Sequence, residues 1–106
     1  MALKAYTNGL DLIRALAPVV KQLAACDRDL ADQVRRAAQS ITLNVGEGRC
    51  RTGLDQKRFY RMAHGSAGEV EAALDTALAW GWRIELGDTR AILDEELRLL
   101  HGLHAK

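Results

Sequence analysis

The sequence predicts an all-α protein, a single-domain up-down-up-down four-helix bundle, on three observations. Apolar residues recur at steps of three and four through most of the chain. Glycines and capping residues cut that pattern into four segments with short joins, the signature of antiparallel neighbours. No segment shows the β-branched alternation with hairpin turns that strands require. The 106 residues, read as one domain over 1–106, leave no room for separate cofactor and substrate domains. Hydrophobic residues make up 48% of the chain, enough to bury a core.

The first helix is expected over Asn8 to Ala25, with Leu10, Ile13, Leu16, Ala17, Val20, Leu23 and Ala24 on its apolar stripe. Pro18 lacks a backbone donor and crowds the preceding turn, which predicts a kink or a late start. Asp27 or Asp29 caps the second helix, whose stripe is Leu30, Val34, Ala37, Ala38, Ile41 and Val45 and which ends near Glu47. The basic connection GEGRCRTG follows, its glycines marking a helix end. Thr52 or Asp55 opens the third and longest helix, with Leu54, Phe59, Met62, Ala63, Ser66, Val70, Ala73, Leu74, Ala77 and Leu78 at helical spacing. Gly81 stops it. Gly87 and Asp88 then cap a fourth helix carrying Ile92, Leu93, Leu97, Leu100 and Leu103. Small residues, Ala37 and Ala38 on one helix and Ala63, Gly65, Ser66, Ala67 and Gly68 on another, predict tight packing within the bundle or between subunits, in preference to a ligand-contact role.

Lys4, Asp11 and Arg14 interrupt the N-terminal apolar stretches before they reach signal-peptide length, so a cytoplasmic protein is expected. No stretch is apolar enough for a membrane span, and no membrane partner is expected. Cys26 and Cys50 then meet a reducing compartment and are read as free thiols. They lack the CxxC spacing of a structural zinc site, and neither a metal nor a cofactor is expected. Cys50, between Arg49 and Arg51, reads as a reactive thiol without the base that nucleophilic catalysis needs. His101 and His104 are three apart and could share a face and bind a stray metal, but near a C-terminus they are expected to be solvated or to complement the helix dipole, and no partner for His64 is identified.

Charge is spread unevenly. Residues 28–61 hold eight basic and four acidic side chains, whereas residues 62–106 hold four basic and eight acidic ones. If the second helix's end and the third helix's start converge, Arg49, Arg51, Lys57, Arg58 and Arg61 form one basic patch, to which Arg35 and Arg36 are added as candidate nucleic-acid contacts. Arginine forks pair with phosphate oxygens, so such a patch suits RNA or DNA backbone. The alternative is a solvated face, or a docking surface for a second subunit or a protein partner. Ser40, Asn44 and Glu47 read as a structural polar network, with Glu47 meeting an arginine of another helix or subunit. No set of nucleophile, base and oxyanion donors accompanies them, so no catalytic residue is assigned and no enzyme is expected.

The segments QVRRAAQSITLNVGEGRCR and KRFYRMAHGSAGEVEAAL resemble the four-helix bundle family of 23S ribosomal RNA intervening-sequence proteins. The matching positions are Arg35, Arg36, Ala37, Ala38, Ser40, Ile41, Asn44, Glu47, Gly48, Lys57, Phe59, Gly65, Ser66 and Glu69, with the leucine-rich end from Leu93 to Leu103 similar to the family's last helix. Thr42 stands where the family usually has proline, Gly46 where it has alanine and Arg58 where it has glutamate. The resemblance implies a four-helix bundle that assembles into a ring-shaped homopentamer without established enzymatic activity. It also implies a relation to accessory proteins of diversity-generating retroelements, which bind nucleic acid and a reverse transcriptase; other members are encoded within ribosomal RNA insertions.

Overall fold

The periodic segments wind into four α-helices in the computed structural model, which describes residues 2–105. They are α1 (Ala2–Cys26), α2 (Arg28–Arg49), α3 (Gly53–Ala79) and α4 (Thr89–His104), packed as an all-α four-helix bundle in which each helix lies against its sequence neighbours and α4 closes on α1. No strand occurs among the described residues. The molecule measures 43 × 22 × 19 Å. The 27 residues of α3 rise roughly 40 Å, so that helix alone spans the long axis.

Local chemistry explains the ends. Asp27 caps α2, its carboxylate accepting the Leu30 amide at 3.1 Å. Thr52 and Asp88 occupy the caps of α3 and α4 but make no side-chain capping bond. Gly53, Gly81 and Gly87 take positive φ at the two connections. The first helix begins at Ala2, six residues before the expected start, and runs unbroken through Pro18, which faces solvent. Proline removes only one amide from the ladder there, and burial of the opposite face holds the helix together.

The core is built from Leu12, Leu16, Leu23, Leu74, Leu93 and Leu100, each at most 2% exposed and each contributing roughly 2 kcal/mol of burial, with alanines and valines between them. Two stripes differ from expectation. The buried face of α1 is Ala5, Gly9, Leu12, Leu16, Val19 and Leu23, rotated from the expected one, which shares only Leu16 and Leu23 with it. Ile13 and Val20 instead border a groove of about 310 Å³ between α1 and α2. On α3, Tyr60 is buried whereas Leu54, Met62 and Leu78 are exposed.

The small residues also divide. A methyl on Gly48 would lie 2.6 Å from a Tyr60 ring carbon, and one on Gly9 would lie 2.9 Å from the Thr42 methyl, so these two glycines permit close helix approach. A methyl on Gly65 or Gly68 meets nothing within 4 Å. Tight packing within the bundle therefore does not account for them, because the face they share is open in this chain.

Polar contacts set the helix registers. Ser66 Oγ donates to Ser40 Oγ at 2.8 Å across α2 and α3, and Arg90 pairs with Asp75 across α3 and α4. Between α1 and α4, Asn8 Nδ2 donates to Glu96 Oε1 at 2.9 Å and to the Ile92 carbonyl at 3.1 Å. Glu96 is fully buried, and its Oε2 has no hydrogen-bond partner among the described residues. Burial raises its pKa to about 7, with the Asn8 hydrogen bond opposing and the neighbouring Glu95 adding to the rise.

Candidate functional site

The antiparallel arrangement brings the N-terminus of α1, the α2–α3 turn and the C-terminus of α4 to one end of the bundle, and the basic residues converge there. Residues 47–61 carry a surplus of three positive charges. The turn is closed by Gln56, whose amide donates to the carbonyls of Gly48 at 3.1 Å and Arg51 at 2.9 Å, satisfying the last turn of α2. Gly48 lies flat against Tyr60 beneath it, and burial pushes the Tyr60 phenol up, with Arg49 opposing.

Arg51 bonds Glu47 Oε2 through Nη2 at 2.7 Å and Nε at 3.1 Å, and reaches Asp55 Oδ2 at 3.1 Å. Arg58 holds the other Asp55 oxygen at 3.0 Å. These bonds raise the Arg51 pKa, through Glu47 first, and lower that of Asp55, through Arg58 first. Both guanidiniums lie over the Phe59 ring, at 5.0 Å for Arg51 and 4.5 Å for Arg58, while Arg49 lies over Tyr6 at 5.6 Å. Arg49 and Arg61 are exposed and make no ion pair among the described residues. Lys57 is half-buried on the same turn of α3. The arrangement presents planar cations propped on aromatic rings, a geometry suited to phosphate oxygens.

Arg35 and Arg36 are not part of this end. Arg35 lies about 21 Å along α2 from Arg49, pairs loosely with Asp32 at 3.8 Å and borders the α1–α2 groove; Arg36 is exposed nearby. The expected polar network is reorganised. Asn44 Nδ2 donates to the Ser40 carbonyl and hydroxyl at 2.8 and 2.9 Å, and Ser66 joins them from α3. Glu47 stays outside it and pairs with Arg51 one turn further along, not with an arginine of another helix. The expected network lay on α2 alone and did not include Ser66, the partner that tertiary packing supplies.

Sequence reasoning also missed the meeting of the three histidines. His64 Nδ1 lies 2.8 Å from His104 Nε2, and His101 stands beside both with ring centroids 5.9 Å away. The partner that the sequence did not identify for His64 is thus His104, because antiparallel packing sets residue 64 of α3 opposite the last turn of α4. Burial lowers the pKa of His64 and of His104, and neighbouring charges, including Arg61 for His104, lower them further. Trp80 and Trp82 stack at 6.3 Å at the opposite end of α3, remote from the arginines of the α2–α3 turn. No helix among the described residues is long and apolar enough to cross a membrane.

A family model described as 23S rRNA-intervening sequence protein matches residues 1–100. No curated protein and no solved structure gives a match. The chain belongs to the 23S rRNA-intervening sequence protein family.

Proposed function

We propose that this member of the 23S rRNA-intervening sequence protein family is a non-enzymatic, homo-oligomeric helical module, pentameric by the resemblance above, that binds RNA or DNA phosphates through its α2–α3 end. The observation that carries the reading is the surplus of three positive charges gathered on residues 47–61, with three of the arginines lying over aromatic rings. Glu47 and Asp55 hold Arg51 and Arg58 in place without cancelling the field. A symmetric oligomer repeats that field around its axis. Contacts of this kind track the backbone, fall steeply with salt and carry little sequence information.

A second reading has its own support. Leu54 is 83% exposed at the start of α3 and Leu43 is 70% exposed on α2, so apolar side chains accompany the arginines at the surface. They favour a protein-interaction scaffold in which the basic patch docks a subunit or partner. Titrating a labelled structured RNA with nucleic-acid-free protein separates the two. Phosphate binding predicts micromolar or tighter affinity whose logarithm falls with log salt by about 0.9 per phosphate neutralised on a duplex. The triple reversal R49E/R51E/R58E then abolishes binding and leaves the oligomer intact. Dissociation to monomers supports docking instead, and an unchanged RNA affinity and assembly removes both roles from the patch.

A further inference from the structure

Two α4 side chains and one α3 side chain turn three imidazoles toward a common point. His101 and His104 are three residues apart on the last turn of α4 and share a face, and His64 approaches from α3. One nitrogen from each ring can be chosen so that all three lie within 4.8 Å of one another. Zinc–imidazole bonds of about 2.0–2.1 Å set tetrahedral nitrogen ligands about 3.4 Å apart, so the spacing needs only small side-chain rotations.

We propose that His64, His101 and His104 form a binding site for a divalent late-transition-metal ion of the zinc type, with a fourth position open to solvent.

The chemistry selects the ion. Three neutral nitrogen donors with no carboxylate or carbonyl among them suit zinc, copper, nickel or cobalt rather than the oxygen-seeking calcium or magnesium. The 2.8 Å approach of His64 Nδ1 to His104 Nε2 requires one of the two nitrogens to present a lone pair, so the pair already contains a neutral ring. Burial of His64 and His104 favours that neutral, ligating form. The carbonyls at the end of α4 add partial negative charge beside the ion, offsetting Arg61, whose charge acts on His104. His101 is exposed, which gives the ion an entry path and leaves room for water as the fourth ligand. The site owes nothing to phosphate binding and stands or falls separately from it.

The test uses the full, tag-free chain carrying Cys26→Ser and Cys50→Ser, so that the exposed thiols cannot supply the ligands. Titration calorimetry with Zn²⁺ alone is expected to give one ion per chain with micromolar or tighter affinity, and Co²⁺ is expected to give the visible bands of a tetrahedral nitrogen site. Replacing His101 with Gln, on the exposed side and outside the hydrogen-bonded pair, is expected to weaken binding by more than about tenfold with an unchanged circular dichroism spectrum. Replacing His64 and His104 together is expected to abolish it. No saturable Zn²⁺ binding, binding indifferent to His101→Gln, or binding that disappears with the cysteines overturns the proposal.

Discussion

The seam between α1 and α4 and the turn between α2 and α3 each hold carboxylates beside a polar or cationic partner, yet the two regions put that chemistry to opposite uses. At the seam, Glu96 is sealed in the core with one oxygen bonded by Asn8 and the other without a partner among the described residues, so its charge is expensive and the carboxyl keeps its proton up to about pH 7. At the turn, Glu47 and Asp55 pair in solvent with Arg51 and Arg58, where such pairs contribute little to stability but fix the direction of each guanidinium. Burial therefore decides whether a carboxylate acts on folding or on what the surface can bind.

The largest test of this contrast is the pH dependence of stability. Glu96 ionises near 4.5 in the unfolded chain and near 7 in the folded one, so between those values the folded state holds the extra proton. Its contribution is full below pH 4.5 and is lost as pH rises toward 7, a difference of about 3 kcal/mol. Urea unfolding of the wild type and of Glu96→Gln across this range isolates the effect, because the difference between the two proteins cancels the histidines. Parallel curves would show that the seam behaves like the surface.

A smaller effect separates two glycines on one helix. Gly48→Ala drives a methyl into Tyr60 under the basic turn and is expected to cost about 1–3 kcal/mol. Gly46→Ala, two residues earlier, places its methyl 3.7 Å from Tyr6, an ordinary contact, and is expected to stabilise by about 0.5–1 kcal/mol. Thermal melts of the two variants moving in opposite directions confirm that the turn is seated on Tyr60. The smallest stability effect belongs to the surface itself. Arg51→Ala and Arg58→Ala are expected to leave the melting temperature within error while weakening RNA binding, and a drop in melting temperature would assign those arginines to the fold.

Much of the fold was legible because its signals are local. Asp27 caps α2 where a capping aspartate was expected, Gly81 interrupts the chain just past α3, and the apolar stripe of α2 is buried nearly as spaced. The start of α1 was missed because its first buried positions are Ala5 and Gly9, too small to stand out as a stripe. Glu96 was overlooked for the opposite reason. It completes the buried run Thr89, Leu93, Glu96 and Leu100 at helical spacing, but charge hides it from a hydrophobic pattern. At the site, the five basic residues around the turn were legible because a short join forces them together. The Ser40–Ser66 bond and the histidine trio depend on which faces of separate helices meet, and one helix's periodicity does not contain that information.

The two cysteines sit just beyond opposite ends of α2, about 33 Å apart along a rigid rod, and both are exposed. Their thiols cannot meet within one molecule, so each chain is a bifunctional monomer in the polymer chemist's sense. Air oxidation links such units end to end or copy to copy and yields a ladder on a non-reducing gel. Only under reductant does the size distribution report the non-covalent association proposed above.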